Sequence, residues 1–263
     1  MNVIKNIYLF AKREGIFPLI VKIIDKFFIP FGISFLTFFN LKDSAIEKNP
    51  YLNDGYDKEK IFSKIYLNSF WKSKESRSGS GSDVDKLQNY SKNLNIFFNQ
   101  YKINSMLDVP CGDFLFMNKF LKDKKINYKG GDIVKEIIEN NKKKYGQYEF
   151  KKFDITKDLE KDYFDVLHVK DCLFHFSFND IWKSLENIVK YNTKYTLITT
   201  HNSLLLKNLE IKTGDFRYLD LEKKPLYFPK PIYKIYEYKF DIKLFPRFVG
   251  VWKTKDLKSH FNK

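Results

Sequence analysis

The stretch 103–114 constrains the fold most, because it combines a short apolar run, a tight turn and the start of a helix. Residues 103–109 are apolar enough for a buried strand, and Pro110-Cys111-Gly112 forces a turn. Helical apolar spacing resumes over 115–121. This order places backbone N–H groups and a helix N-terminus at the carboxyl edge of a parallel sheet, where nucleotide-like ligands bind.

The pattern of strand followed by helix repeats downstream of this turn. Further strands are predicted at 128–132, 148–154, 163–170 and 194–200, with helices at 134–145 and 179–190. Such alternation predicts an α/β fold with a doubly wound, mostly parallel sheet. Two more strands, at 232–240 and 247–253, are predicted to form an antiparallel C-terminal hairpin, which brings the sheet to seven strands.

An acidic residue ends each of four predicted strands: Asp108, Asp132, Asp154 and Asp171. Asp132 follows Asp108 at close to the separation of about 20 residues at which a carboxylate on the second strand meets a ribose held by the first turn. Each aspartate taken alone is more often a helix cap or a turn former. Together at one sheet edge they indicate a shared binding site.

Composition leaves several partners open. The chain has 263 residues, enough for one α/β domain and an appendage, and a formal net charge of +15. This charge favours anionic partners such as phosphorylated sugars, nucleotides, nucleic acid or an acidic membrane surface. The two cysteines, Cys111 and Cys172, have no metal-type spacing and no disulfide framework is expected, so we predict a cytoplasmic protein without a metal.

Residues 1–75 are predicted to form a helical N-terminal appendage. Charged residues at 22, 25 and 26 and two prolines interrupt the apolar segment 1–40, which therefore fits neither a membrane span nor a secretory signal. One interpretation is amphipathic helices that cover a face of the domain or form a homodimer contact. The alternative is a basic helix resting on the inner membrane surface, which would make the protein peripheral to that membrane.

Residues 75–82 are rich in serine and glycine. They are either a flexible linker or a loop that closes over a ligand of the domain 76–263. The segment 201–231 lacks the expected helix and contains three prolines. A loop of this length in a compact domain is usually functional, and we expect it to be a lid.

Six short motifs in order carry a resemblance to a known family: 78–82, 108–114 (DVPCGDF), 131–134, 153–155, 170–177 and 213–217. The chain resembles class I S-adenosylmethionine-dependent methyltransferases. The bacterial branch with the DVPCGDF turn, found often in surface-polysaccharide gene clusters, is the most similar. The resemblance implies the Rossmann-like methyltransferase fold, S-adenosylmethionine as cofactor, and an acceptor lid over about 201–231.

The resemblance also implies roles for individual residues. The turn after Asp108 would pass the methionine part of the cofactor, Asp132 would bind the ribose hydroxyls, and Asp154 with Ile155 would frame the adenine. Of the glycines in the wider superfamily's turn, only Gly112 is present. The complete set of implied cofactor-binding residues is Trp71, Ser78, Ser82, Asp108, Pro110, Cys111, Gly112, Asp132, Ile133, Asp154, Ile155 and Lys170.

Methyl transfer to a hydroxyl requires alignment of donor and acceptor and removal of a proton. Asp171 and His175 are the candidate catalytic residues, although His175 also fits a core position and Asp171 also fits a donor-orienting role. His201, directly after the fifth strand, and Arg217 are candidate substrate residues, and Arg217 suits a phosphate or carboxylate. Plain surface charge is the alternative for Arg217.

These residues predict an O-methyltransferase that acts on a small anionic acceptor, and the resemblance implies that this acceptor is a sugar or phosphosugar used for capsule or lipopolysaccharide. An RNA methyltransferase is less favoured, because the fourth strand ends in Lys-Asp-Cys-Leu and not in the Asn/Asp-Pro-Pro-aromatic run that holds a flipped base. A dehydrogenase is disfavoured since a pyrophosphate needs more glycines in the turn. A non-catalytic, membrane-associated cofactor-binding protein is the remaining alternative.

Overall fold

The computed structural model describes residues 12, 15–39, 41, 49–53, 57–73, 75–83, 87–238 and 245–261. These residues form one seven-stranded sheet in the order β3-β2-β1-β4-β5-β7-β6. Strand β7 runs in the opposite direction to the other six strands, so it is antiparallel to both β5 and β6. The strands are β1 Ser105–Asp108, β2 Asn127–Asp132, β3 Glu149–Lys152, β4 Phe164–Val169, β5 Thr193–His201, β6 Tyr233–Tyr236 and β7 Arg247–Lys253.

Helices cover both faces of this sheet. The α-helices of the described residues are α1 Ile16–Phe28, α2 Phe35–Phe38, α3 Lys58–Leu67, α4 Gln88–Tyr101, α5 Leu115–Leu121, α6 Lys135–Lys144, α7 Phe178–Ile188 and α8 Thr254–Phe261. Neighbouring residues of the central strands enter opposite cores: Met106 and Val166 pack in a cluster with α4 and α5, whereas Leu107 and Leu167 pack with α7 and α8. The central strands are therefore apolar on both faces, as expected for a doubly wound sheet.

Strand β1 lies between β2 and β4, so the chain winds outward from it in two directions. Ligands of open α/β sheets bind beyond the carboxyl ends of the strands at such a point of reversal. The predicted α/β fold, the mostly parallel sheet and the antiparallel C-terminal pair are all confirmed.

The observed bounds of some elements differ from the predicted ones. Strand β1 is shorter than 103–109, and helix α4 runs from Gln88 to Tyr101. The Asp83 carboxylate, which precedes this helix in the sequence, accepts a hydrogen bond from the Ser73 hydroxyl. The turn predicted between the last two strands falls in part on 239–244, outside the described residues.

Helices α1 and α2 contact the long loop 202–232 that follows β5. The Ser34 amide donates to the Leu205 carbonyl at 2.8 Å, and the Leu204 amide donates to the Gly32 carbonyl at 2.8 Å. Gly32 has φ 72°, and a Cβ there would lie 3.0 Å from the Cα of Ser203, so this contact requires glycine. Much of the rest of 1–75 lies outside the described residues, and none of the described helices is long and apolar enough to cross a membrane.

We expect Gly250→Ala to destabilise the fold, because a Cβ on this β7 residue would lie 2.7 Å from the buried ring of Trp252. Overpacking of this kind costs about 1–3 kcal/mol of unfolding free energy, measured by urea titration. Gly146→Ala is the matched control, since its Cβ would meet only the Lys142 carbonyl at 3.6 Å. Equal stability of the two variants would contradict this packing argument.

Candidate active site

A cavity of about 140 Å³ opens at the carboxyl ends of β1, β2 and β4. The predicted site residues that line it are Trp71, Ser78, Ser82, Asp108, Pro110, Cys111, Gly112, Asp132, Ile133, Asp154, Ile155, Lys170, Asp171 and His175. The serine- and glycine-rich segment therefore lies against the cavity, as the loop interpretation of 75–82 expects.

The turn after β1 is fixed by contacts on both sides. Gly112 has φ 54°, and a Cβ on it would lie 2.8 Å from the Ser78 hydroxyl oxygen, so the position requires glycine. The Ser78 hydroxyl accepts from the Asp113 amide at 2.9 Å, and the Asn141 side chain donates to the Gly112 carbonyl at 2.8 Å. The loop 75–82 and helix α6 thus hold the turn in place.

Asp108 is buried, and each of its carboxylate oxygens contacts a side chain of a neighbouring strand. One carboxylate oxygen accepts from the Tyr128 hydroxyl at 2.8 Å, and the other lies 2.6 Å from Nδ1 of His168. Because a carboxylate only accepts, Nδ1 of His168 donates this bond, and Nε2 of the same ring lies 2.7 Å from the Tyr90 hydroxyl. Burial raises the pKa of Tyr90 well above its usual value. Through its bonds to Tyr128 and His168, Asp108 fixes the start of the turn that follows β1.

Asp132 offers acceptor capacity at the end of β2. Its two carboxylate oxygens accept one backbone hydrogen bond each, from the Val134 amide at 2.9 Å and from the Gly112 amide at 3.1 Å. Burial raises the pKa of Asp132 to about 6, although these two hydrogen bonds act in the opposite direction. Lone pairs remain on both oxygens for a ligand that donates hydrogen bonds.

Asp154 is held by the N-terminal part of the chain. Its carboxylate accepts from the Thr156 amide at 2.9 Å and lies 3.3 Å from the ammonium of Lys58 on α3. Burial opposes ionisation, but the hydrogen bonds from Thr156 and the charge of Lys58 lower the pKa of Asp154. Lys58 also lies 3.7 Å from Asp180 of α7, so α3 is tied to two elements beside the cavity.

Two acidic and two basic side chains form an ionic cluster beside the cavity. Lys170 pairs with Asp171 and lies 3.7 Å from Glu237, and Arg247 contacts Glu237 at 2.6 Å and Asp171 at 3.3 Å. Burial opposes ionisation of Asp171, but the charges of Arg247 and Lys170 lower its pKa to about 2. Asp171 also has φ 52°, a left-handed conformation that aspartate tolerates better than most residues.

His175 has a defined tautomer. Its Nδ1 lies 2.8 Å from the carbonyl oxygen of Asp215, which only accepts, so Nδ1 carries the proton. The ring stacks on Trp71 with centroids 5.0 Å apart. Burial lowers the pKa of His175 to about 4, although the hydrogen bond to Asp215 and the charge of Asp171 act in the opposite direction. Its Nε2 therefore presents a lone pair at neutral pH and bonds to none of the described residues.

The structure places His201 and Arg217 away from the described lining of the cavity. Nδ1 of His201 accepts from the Leu219 amide at 3.1 Å, and burial lowers the pKa of His201 to about 3. The Arg217 guanidinium donates to the Phe176 carbonyl at 2.6 Å and stacks over Phe178. Both side chains bind the loop 202–232 to the domain in this structure, and their substrate roles stay predictions.

Several lining residues were not predicted from the sequence, among them Phe62, Tyr66, Asp113 and His168. Asp113 has one buried carboxylate oxygen, Oδ1, without a partner in the described part of the chain, and burial raises its pKa. The sequence signal for Asp113 was its place in the 108–114 turn, and that for His168 was a polar residue inside an apolar strand. Among the described residues, no cluster of His, Cys, Asp or Glu could hold a metal ion.

The fold is similar to that of solved methyltransferases. One is 1,6-didemethyltoxoflavin-N1-methyltransferase from Burkholderia thailandensis, solved with bound 1,6-didemethyltoxoflavin and S-adenosylhomocysteine. The two sequences are 13% identical, the match covers 73% of this chain and 87% of that chain, and the TM-score is 0.54. Another is the methyltransferase domain of bacterial CtHen1, with 12% identity, coverage of 65% and 100%, and a TM-score of 0.50. The sequence matches no family model and no curated protein. At these identities the likeness shows that this chain has the Rossmann-like methyltransferase fold.

Proposed function

We propose that the chain is an S-adenosylmethionine-dependent methyltransferase. The observation that carries the proposal is Asp132, a buried carboxylate at the end of β2 with spare acceptor capacity beside the Gly112 turn. A vicinal diol donates two hydrogen bonds, and a carboxylate at this point of an open α/β sheet is placed to accept both. The fold shared with solved methyltransferases supports the same assignment.

The other lining residues fit the remaining parts of this cofactor. Ile133, Phe153 and Ile155 give an apolar wall for the adenine next to Asp132. The unpartnered Oδ1 of Asp113 is an acceptor suited to the ammonium of the methionine part. When bound, S-adenosylmethionine supplies an electrophilic methyl group on a positively charged sulfur.

The charge of the cavity edge favours a cationic ligand over a pyrophosphate. Five aspartates line it. Asp154 and Asp171 are paired with basic side chains, whereas Asp113 and Asp132 have no cationic side chain bonded to them in the described structure. Like charges repel strongly in a partly buried site, so a dinucleotide with two phosphates would be disfavoured. A sulfonium and an ammonium are attracted by the same carboxylates, which supports the methyltransferase over a dehydrogenase.

We infer O-methylation from His175. Its unprotonated Nε2 would accept the proton of an acceptor hydroxyl while the oxygen takes the methyl group and the methyl–sulfur bond breaks, its electron pair staying on a neutral thioether. A base with a pKa of about 4 suffices, because the hydroxyl becomes much more acidic as that bond forms. The Asp171 carboxylate favours the protonated ring, and the Asp215 carbonyl and the Trp71 ring keep its orientation.

The proposed acceptor is a small anionic sugar or phosphosugar, used for capsule or lipopolysaccharide. The net charge of +15 supports an anionic acceptor, and the resemblance of the 108–114 turn to methyltransferases of polysaccharide gene clusters supports the sugar. This part of the proposal rests on family analogy, which is a weaker warrant than the geometry of the site.

We predict that Asp132→Asn weakens S-adenosylhomocysteine binding about tenfold or more at pH 8, since the amide replaces an acceptor oxygen with a donor. The raised pKa of about 6 means that wild-type Asp132 is ionised only above that pH. Wild-type affinity, measured by titration calorimetry, should therefore fall as pH decreases through 6. Asp132→Asn should remove that part of the pH dependence.

Asp256→Asn is the control, because Asp256 is exposed on α8 and remote in sequence from the site. Its affinity should equal that of the wild type at every pH. Unchanged binding by Asp132→Asn at pH 8 would show that this carboxylate does not hold the ribose.

We predict that His175→Gln lowers the rate of methyl transfer about 10²- to 10⁴-fold and leaves S-adenosylhomocysteine affinity unchanged. The wild-type rate should show no titration of this histidine between pH 6 and 8, because a pKa of about 4 leaves it neutral there. Transfer of labelled methyl groups to sugar nucleotides, phosphosugars and tRNA measures the rate and the acceptor.

His260→Gln, on α8, is the matched histidine control and should keep the full rate. A His175→Gln variant with wild-type activity would exclude His175 as the base. Transfer to tRNA alone would contradict the sugar acceptor while leaving the methyltransferase assignment intact.

A further inference from the structure

Helix α1 directs a large apolar stripe toward solvent. Val21 and Asp25 face inward with 5% and 1% exposure, and isoleucine and phenylalanine side chains at helical spacing are exposed on the helix. The exposed residues and their exposed fractions are Ile16 71%, Phe17 56%, Ile20 49%, Ile23 46%, Ile24 41% and Phe27 72%. We call this stripe, with the residues that extend it below, the α1 surface.

Aromatic residues after α1 extend the α1 surface. The ring of Phe17 lies 5.5 Å from that of Phe39, which in turn lies 5.2 Å from the ring of Phe38. These last two residues are 46% and 52% exposed. Leu204, whose amide bonds to Gly32 just after α1, is 74% exposed. Single exposed apolar residues are ordinary, but a contiguous set of this size marks an interaction site.

In the segment 15–39 the acidic side chain is buried and the exposed charge is basic. Asp25 is the sole acidic residue in the sequence 15–39, and its carboxylate faces inward, where it accepts from the Ser34 hydroxyl at 2.9 Å and from the Phe35 amide. Lys26 is exposed on the same helix, and Lys22 is half-buried. The outward side of α1 therefore combines apolar and basic side chains and presents no acidic one.

We propose that the α1 surface docks on a lipid bilayer that contains anionic headgroups, with α1 lying in the plane of the interface. An apolar stripe bordered by lysine is the pattern of interfacial helices, in which the apolar side chains enter the acyl boundary and the lysines meet the headgroups. Helix α1 has 13 residues, about 20 Å, which is too short to span the apolar layer.

A second copy of the chain fits this surface less well than a bilayer. Contact between two α1 surfaces would bring the lysines of both copies together, and the one acidic side chain of the segment 15–39, Asp25, is buried in each copy. An anionic membrane supplies that opposite charge, and the formal net charge of +15 attracts the whole molecule to it. The inference does not depend on the proposed methyltransferase activity.

Co-sedimentation of the full chain with vesicles tests the proposal. We expect binding to an equal mixture of phosphatidylglycerol and phosphatidylcholine, and little binding to phosphatidylcholine alone. The double variant Ile20→Glu, Phe27→Glu should lower partitioning about tenfold or more, because it removes two large apolar contacts and adds repulsion. Lys26→Glu should weaken binding to the mixed vesicles, and salt should do the same.

The matched control is Leu67→Glu, Ile96→Glu, which changes two residues that are 52% and 45% exposed on α3 and α4. It should bind as the wild type does, and circular dichroism should show that both double variants are folded. Equal loss of binding in both, or no wild-type binding to the mixed vesicles, would overturn the proposal. So would a wild-type dimer in light scattering that the Ile20, Phe27 variant alone converts to a monomer.

Discussion

The hydrogen bonds of Asp108 hold the central edge of the sheet in one arrangement. Through Tyr128 and His168 this carboxylate joins β1 to both of its neighbouring strands, and through Tyr90 the same chain of bonds reaches α4. All four groups are buried, where a missing partner costs more than it does at the surface. The turn that follows Asp108, and with it the Gly112 amide bonded to Asp132, has its position set by this network.

The ionic cluster beside the cavity is internally balanced. Lys170 and Arg247 neutralise Asp171 and Glu237, so the positive charges of the cluster are committed before a ligand arrives. Asp132 and Asp113 have no cationic side chain bonded to them in the described structure. The attraction that the cavity offers a cation therefore comes from the turn and from the end of β2.

The order of strands and helices could be predicted from the sequence, because strand-length apolar runs alternate with helical spacing, and the strand ends supplied the shared edge of aspartates. The chemical state of those aspartates could not be predicted in the same way. Asp154 is bonded to Lys58, and Asp108 to Tyr128 and His168, through contacts that depend on how distant elements pack. The role of Arg217 could not be predicted either, because its guanidinium binds carbonyl groups that no local sequence pattern indicates.

The tautomer of His175 is set by the main chain. The group that accepts its Nδ1 proton is the Asp215 carbonyl, so the identity of the side chain at position 215 does not enter this hydrogen bond. The path of the loop 202–232 does enter it, because the amides of Gly214 and Arg217 bond to the carbonyls of His175 and Phe174. A substitution at 215 would thus leave the acceptor of this hydrogen bond in the chain, whereas an insertion or deletion between 214 and 217 would shift the carbonyl away from the ring.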